Sequence, residues 1–112
     1  MKHIILGKVG EAKAQYYAKQ QGFEIVEKNY KNFAGEIDLI YLDGTTLVFC
    51  EVKTRTSEKF GLPREAVTRK KQQKIRLVAS FYIKNSTRKY EHYRFDVMEI
   101  IDDDITLIKN AF

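Results

Sequence analysis

Apolar residues recur along the chain with two different spacings. Between residues 8 and 21, Val9, Ala12 and Tyr16 form a stripe with Ala14 and Ala18 beside it, and Gly22 follows the run. That spacing predicts an amphipathic helix with a glycine just past its end. Residues 23–31 then switch to alternation, with Phe23 and Ile25 on one side, and predict a strand. Two more strands are expected at 36–42 ("EIDLIYL") and 46–53 ("TLVFCEVK"), joined around the hairpin signal Asp43-Gly44. After a loop containing Gly61-Leu62-Pro63, residues 64–84 return to helical spacing, with Val67, Ile75, Val78 and Tyr82 on one face. Residues 93–100 and 105–112 read as a final pair of strands around the acidic turn Asp102-Asp103-Asp104. The expected order is α-β-β-β-α-β-β. A strand–helix–strand step requires a crossover, so the pattern predicts an α/β fold: a mixed five-stranded sheet flanked by helices.

The hairpin of residues 35–55 breaks its own pattern. Alternation puts Ile37, Leu39, Tyr41, Val48, Cys50 and Val52 on one continuous apolar face. The other face holds Glu36, Asp38, Ile40 and Leu42 on one strand, and Leu47, Phe49, Glu51 and Lys53 on the next. With a loop of Asp43-Gly44-Thr45-Thr46, Leu42 pairs with Leu47, Ile40 with Phe49, and Asp38 stands opposite Glu51. Opposed carboxylates repel one another, and charges inside a strand cost several kcal/mol unless compensated. A cation between Asp38 and Glu51 removes that penalty.

Two close carboxylates are a hard-oxygen site suited to Mg²⁺ or Mn²⁺, ions that use few protein ligands and keep several waters. Lys53, on the same face two residues beyond Glu51, supplies an ammonium beside such an ion. Together these are the parts for metal-assisted hydrolysis of a phosphodiester. An Asp38–Lys53–Glu51 ion-pair set at a sheet end, with no chemistry, is the alternative reading of the same residues.

Composition narrows the class of molecule. At 112 residues, 44 % hydrophobic and 31 % charged, the chain reads as one globular domain over residues 1–112. No apolar run approaches a membrane span, and "MKHIIL" is too short for a secretory signal, so neither a membrane nor export is expected. The single cysteine, Cys50, fits a reducing cytoplasm and reads as core. His3 and His92 show no zinc spacing. Charge is unevenly placed: the chain carries +5, while residues 53–76 alone carry +7 and the remainder −2. A basic block downstream of an acidic pair attracts a polyanion, nucleic acid being the commonest. Arg55, Arg69, Lys70, Lys71 and Lys74 are the expected phosphate contacts; a solvated helix face is the plainer reading.

The acid, then Glu-x-Lys, on a β-hairpin resembles the PD-(D/E)xK nuclease superfamily and its restriction-endonuclease-like, three-layer fold. More closely, Gly7-x-x-x-Glu11, "GEIDLI", "FCEVKTR", "AVTRKKQQKI" and "RFDV" resemble the YraN-like family of small bacterial proteins. That family is grouped by likeness with archaeal Holliday-junction resolvases. The resemblance covers nearly the whole chain. It implies Asp38 and Glu51 as metal ligands, Lys53 as catalytic lysine, and Glu11 as an additional acid near the metal. The superfamily's proline is replaced by Ile37. Gln73, or failing it Gln72, matches a helix glutamine that some relatives place near the site. Glu36 reads as a surface charge or an accessory group supporting the site rather than as a ligand, and Asp96 as either an orienting group or the partner of Arg94.

The expected function is therefore metal-dependent cleavage of DNA, branched or single-stranded forms included. Homodimerisation is left open. A nucleic-acid-binding module without catalysis and a protein–protein adaptor that retains the fold are the alternatives.

Overall fold

Helix α1, Lys2–Gln20, ends where the sequence places its glycine. Gly22, at φ 83°, donates to Lys19 O, and Phe23 N–H reaches back to Ala18 O, both at 3.0 Å. These two bonds satisfy carbonyls that the helix end would otherwise leave open, in a conformation that glycine adopts without strain. Phe23 is thereby delivered onto Tyr41, ring on ring, with centroids 4.6 Å apart. The helix starts at Lys2, earlier than the spacing of 8–21 predicts.

The computed structural model describes residues 2–55 and 67–112, with side chains from residue 8 onward. Its strands are β1 (Glu24–Asn32), β2 (Gly35–Asp43), β3 (Thr46–Arg55), β4 (His92–Ile101) and β5 (Asp104–Ile108), with helix α2 (Arg69–Asn85) between β3 and β4. The loop Gly61-Leu62-Pro63, together with Lys59 and Arg64, lies outside the described residues. α2 begins at Arg69, later than the expected residue 64, because Thr68 caps it: its side chain accepts from Lys71 N–H at 3.2 Å.

The five strands lie in chain order. β3 and β4 run parallel and every other pair is antiparallel, so the sheet is mixed as predicted. On one face Ala14, Ala18 and Phe23 bury Leu39, Tyr41, Val48, Cys50, Met98 and Ile100. On the other, Val67, Ile75, Val78 and Ala79 bury Ile37, Ile40, Leu47, Phe49 and Val97. Helix, sheet and helix thus form three layers, and Cys50 is core.

In the central hairpin Leu42 pairs with Leu47 and Ile40 with Phe49. The loop is tighter than the expected four residues, since Asp43 also pairs with Thr46 and leaves Gly44-Thr45 between them; the register is unchanged. Ile37 departs from strict alternation, packing on the α2 side with Ile40 and away from Leu39 and Tyr41. The slip falls at Asp38, where the ladder to β3 has ended and β1 opposes it with Asn29 at φ 50°.

β5 stops at Ile108, short of the expected 112. Asn110 turns the chain at φ 55°, its N–H bonding Asp96 at 3.0 Å while Ala111 N–H bonds Phe95 O at 2.7 Å. Phe112 then stacks on Phe95, centroids 5.2 Å apart, with the Arg76 guanidinium over both rings.

Candidate active site at the open end of the central hairpin

Four buried apolar residues, Leu47–Cys50, carry β3 into the core, and the fifth buried residue is Glu51, at 6 % exposure. Its side chain emerges on the α2 face, where two ammonium groups meet it. Lys53 Nζ lies 3.7 Å from Glu51 Oε1, and Lys71 Nζ lies 3.6 Å from the same oxygen. Lys53 is there because β alternation returns it to Glu51's face. Lys71 is there because the Thr68 cap sets the phase of the first turn of α2.

Asp38 reaches Glu51 from β2. The strands part beyond the Leu39–Cys50 pair, so the two acids are not ladder partners. Instead Asp38 Oδ2 accepts the Val52 N–H at 2.8 Å, replacing a strand-to-strand bond with a side-chain one. This fixes its carboxyl beside Glu51, close enough for the two side chains to share a hydrogen bond. Burial, then the Asp38 charge, pushes Glu51 up to about 7, against the pull of Lys71 and Lys53. Asp38 is also raised, by burial first and by Glu36, with the Val52 N–H and Lys71 opposing. The two carboxyls therefore titrate as a coupled pair whose ionised form is disfavoured by burial and by their own repulsion.

A third acid stands behind this pair, and strand patterning alone gave it no prominence. Glu99 on β4 is 1 % exposed and in register with Lys53 across the parallel ladder. Arg55 Nε lies 3.2 Å from its Oε1, yet neither carboxylate oxygen receives a hydrogen bond among the described residues. Burial raises its pKa, opposed by Arg55 and then Lys53. The signal available in sequence was an acid inside the apolar run "VMEII", on the strand after the basic helix.

The remaining expected residues divide clearly. Arg55, read as a phosphate contact, is engaged by Glu99. Lys71, read the same way, sits in the acidic site itself. Arg69, Lys70 and Lys74 are exposed on α2. Glu11 accepts a long hydrogen bond (3.4 Å) from Asn29 Nδ2, and Asn29 stands opposite Asp38 on β1. Among the described residues no hydrogen bond or ion pair joins Glu11 to Asp38 or Glu51. Glu36 is exposed, with Lys31 at 3.8 Å. Gln73 is exposed and, two residues from Lys71, is rotated about 200° around α2 from it. Gln72 caps the turn before the helix, donating to Val67 O at 3.0 Å.

Asp96 belongs to the opposite layer. It accepts from Tyr41 Oη at 2.6 Å, from Arg94 Nε and Nη2 at 2.8 and 3.0 Å, and from Asn110 N–H at 3.0 Å. Fully buried and fully bonded, it ties β2, β4 and the chain end together and takes no part in the acidic site.

Two carboxyls beside two ammonium groups suit hard-cation and phosphate chemistry. Burial, with Asp38 beside it, raises Glu51 to about 7 even with two lysines within 4 Å. A divalent ion between Asp38 and Glu51 fits the all-oxygen donor set and would offset the repulsion between the two carboxyls. No group of three or more His, Cys, Asp or Glu that could hold a metal occurs among the described residues, so waters would complete its shell.

A UPF0102 protein of Caldicellulosiruptor saccharolyticus is 45 % identical over 113 residues, covering 96 % of each chain. One from Thermodesulfovibrio yellowstonii is 46 % identical over 112 residues, covering 100 % of this chain and 99 % of its own. Another, from Caldanaerobacter subterraneus subsp. tengcongensis, is 52 % identical over 95 residues, 85 % of this chain and 78 % of the relative. The model of the uncharacterised protein family UPF0102 matches residues 10–100, which hold Asp38, Glu51, Lys53, Lys71 and Glu99, and the chain belongs to that family.

Proposed function

We propose that this protein is a metal-dependent nuclease with a restriction-endonuclease-like fold, hydrolysing phosphodiester bonds in DNA at Asp38, Glu51 and Lys53. The observation that carries the reading is a pair of acids placed side by side: Glu51 is buried, Asp38 is held next to it by the Val52 N–H at 2.8 Å, and Lys53 stands 3.7 Å from Glu51. Burial and then the Asp38 charge raise the Glu51 pKa to about 7. A site built only for ion pairing gains nothing from adjacent carboxyls that repel each other; a divalent ion between them would hold both ionised.

Asp38 and Glu51 would hold a Mg²⁺ or Mn²⁺ ion, which would supply Lewis-acid polarisation of the phosphoryl oxygen and a more acidic water. The chain's own groups do the rest. Val52 N–H holds the Asp38 carboxyl in orientation. Lys53, poised beside Glu51, stabilises the charge that builds on the phosphoryl oxygens in the transition state. Lys71, 3.6 Å from Glu51 at rest, would turn toward a phosphate when a strand occupies the site. Glu99, behind Lys53, limits where that ammonium and Arg55 can go.

The test is a panel of duplex, single-stranded, flap and four-way-junction DNAs, incubated with and without Mg²⁺ or Mn²⁺. Cleavage of at least one by wild type, abolished by chelation and by Asp38→Asn, is the expected result. Binding without cleavage under every condition would leave a nucleic-acid-binding module as the better account.

A further inference from the structure

The tip of the β1–β2 hairpin holds an aromatic ring out in solvent. Phe33 is 82 % exposed, and its ring meets Phe81 of α2 edge-on with centroids 4.5 Å apart. A single exposed apolar side chain is ordinary, but this one sits on a built support. Asn32 Oδ1 accepts the Ala34 N–H at 2.9 Å, and Asn32 Nδ2 donates to Val78 O at 3.3 Å. The first bond closes the turn across the ring's residue, and the second ties the turn to α2. Beside it, Phe33, Lys31, Glu36 and Lys74 line an open depression of about 470 Å³. Glu36 lies 3.8 Å from Lys31 and offsets its charge, which leaves Lys74 as the cation facing the ring's surroundings.

Position relative to the acidic site gives the ring its meaning. Lys71, Lys74, Val78 and Phe81 follow one another at three- and four-residue steps along α2. At 1.5 Å rise per residue, Lys71 and Phe81 are about 15 Å apart. That distance is about four nucleotides at the 3.4 Å rise of a stacked strand. Lys71 touches Glu51 at one end of this track, and Phe81 touches Phe33 at the other.

We propose that Phe33 and Phe81, with Lys74 beside them, form a stacking platform for unpaired bases of a nucleic-acid strand whose backbone runs along α2 to the acidic site. The proposal deepens the reading of that site as acting on nucleic acid, and rests on it. An exposed aromatic ring next to a lysine matches the two features every unpaired nucleotide offers, a π face and a phosphate. Paired bases keep their faces stacked inside the duplex, so the platform favours single-stranded or branched DNA over plain duplex. A second copy of this chain is the weaker occupant. A stable dimer buries roughly 1,200 Å² or more in total, whereas an aromatic side chain offers about 150–250 Å².

The experiment uses the full chain in EDTA, so that no cleavage occurs, with 2-aminopurine oligonucleotides as probes, one single-stranded and one fully paired. Wild type should perturb the fluorescence of the single strand, and Phe33→Tyr should do the same. Phe33→Ala should abolish that signal and weaken single-strand affinity by about tenfold, with duplex affinity changed less than about twofold. Thermal melting of Phe33→Ala establishes that it folds, as expected for a ring so exposed. Equal loss on both probes, or no loss on either, overturns the platform. So does sedimentation showing a wild-type dimer that Phe33→Ala converts to monomer. Failure of the two readings separates cleanly. Phe33-dependent stacking without metal-dependent cleavage of any substrate sinks the nuclease and keeps the platform. Cleavage indifferent to Phe33 does the reverse.

Discussion

At Glu51 opposing influences act on one carboxyl group, and the outcome can be measured. Burial and Asp38 favour its proton; Lys71 and Lys53 oppose it and lose, leaving a pKa of about 7 against the ordinary 4.5. Between those values the folded, metal-free protein binds more protons than the unfolded chain. The resulting stabilisation is complete below about pH 4.5 and is lost as pH rises through about 7, on the order of 3 kcal/mol for this group. Asp38, also raised, acts in the same direction. Asp38→Asn keeps an acceptor for Val52 N–H but removes the charge that repels Glu51. In EDTA at pH 8 the variant should therefore melt at or above the wild-type temperature. Adding Mn²⁺ should raise the wild-type melting temperature and leave the variant nearly unchanged. A variant clearly less stable than wild type in EDTA would mean that Asp38 serves a structural ion pair. The convergence of Asp38 and Glu51 was legible because strand alternation and the Asp43-Gly44 turn fix both faces. Lys71 and Glu99 were not, since one depends on the phase of a helix and the other on the register of a strand that pairs across a crossover.

At the scale of elements, each helix carries one decisive contact. Gly10 lets α1 lie against β3, and a Cβ there would run into Thr54 Oγ1, a short branched side chain with little room to yield. Gly10→Ala should therefore destabilise by roughly 1–3 kcal/mol through overpacking, although alanine alone would favour the helix by about 1 kcal/mol. Gly10→Ala with Thr54→Ala should recover most of the loss in chemical denaturation; no recovery would place the clash elsewhere. On α2 the first turn holds Arg69, Lys70 and Lys71 and no acid, an arrangement the helix dipole disfavours until an anion arrives. DNA affinity should fall with salt at a log–log slope of a few units. Lys70→Ala with Lys74→Ala should flatten that slope and weaken all sequences alike. An unchanged slope would move the phosphate track off this helix. Element types and order followed from periodicity because each segment keeps one spacing. Their ends did not: α2 starts just after its Thr68 cap, and β5 stops at Ile108 before the chain turns at Asn110, both decided by single hydrogen-bonding residues.

Over the whole molecule, the two apolar faces of the sheet account for the three layers, and the proposed function makes the α2 layer the working side. Residues 53–76 carry +7 within a chain of +5; Lys71 of α2 meets the buried Glu51, and Arg55 meets the buried Glu99. The division of labour that follows separates binding from chemistry. If the proposed function holds, exposed cations on α2 would attract the polyanion before any bond is broken, while Lys53, with its side chain 28 % exposed beside Glu51, has little surface to offer a ground-state ligand. Its contribution would then belong to charge that develops during cleavage. Lys53→Ala should accordingly lose on the order of a hundredfold or more in single-turnover cleavage, the effect of removing a preorganised electrostatic group, while DNA affinity stays within about threefold. Rates and gel-shift affinities need the same substrate and the same salt, because a change in ionic strength alone would mimic a binding defect. Lys53→Arg distinguishes charge from position: a cation in the wrong geometry should restore folding stability but little of the rate. Parallel loss of affinity and rate in Lys53→Ala would make the lysine a phosphate contact. Unchanged cleavage would remove it from the chemistry and leave Lys71 as the ammonium that acts on the phosphate.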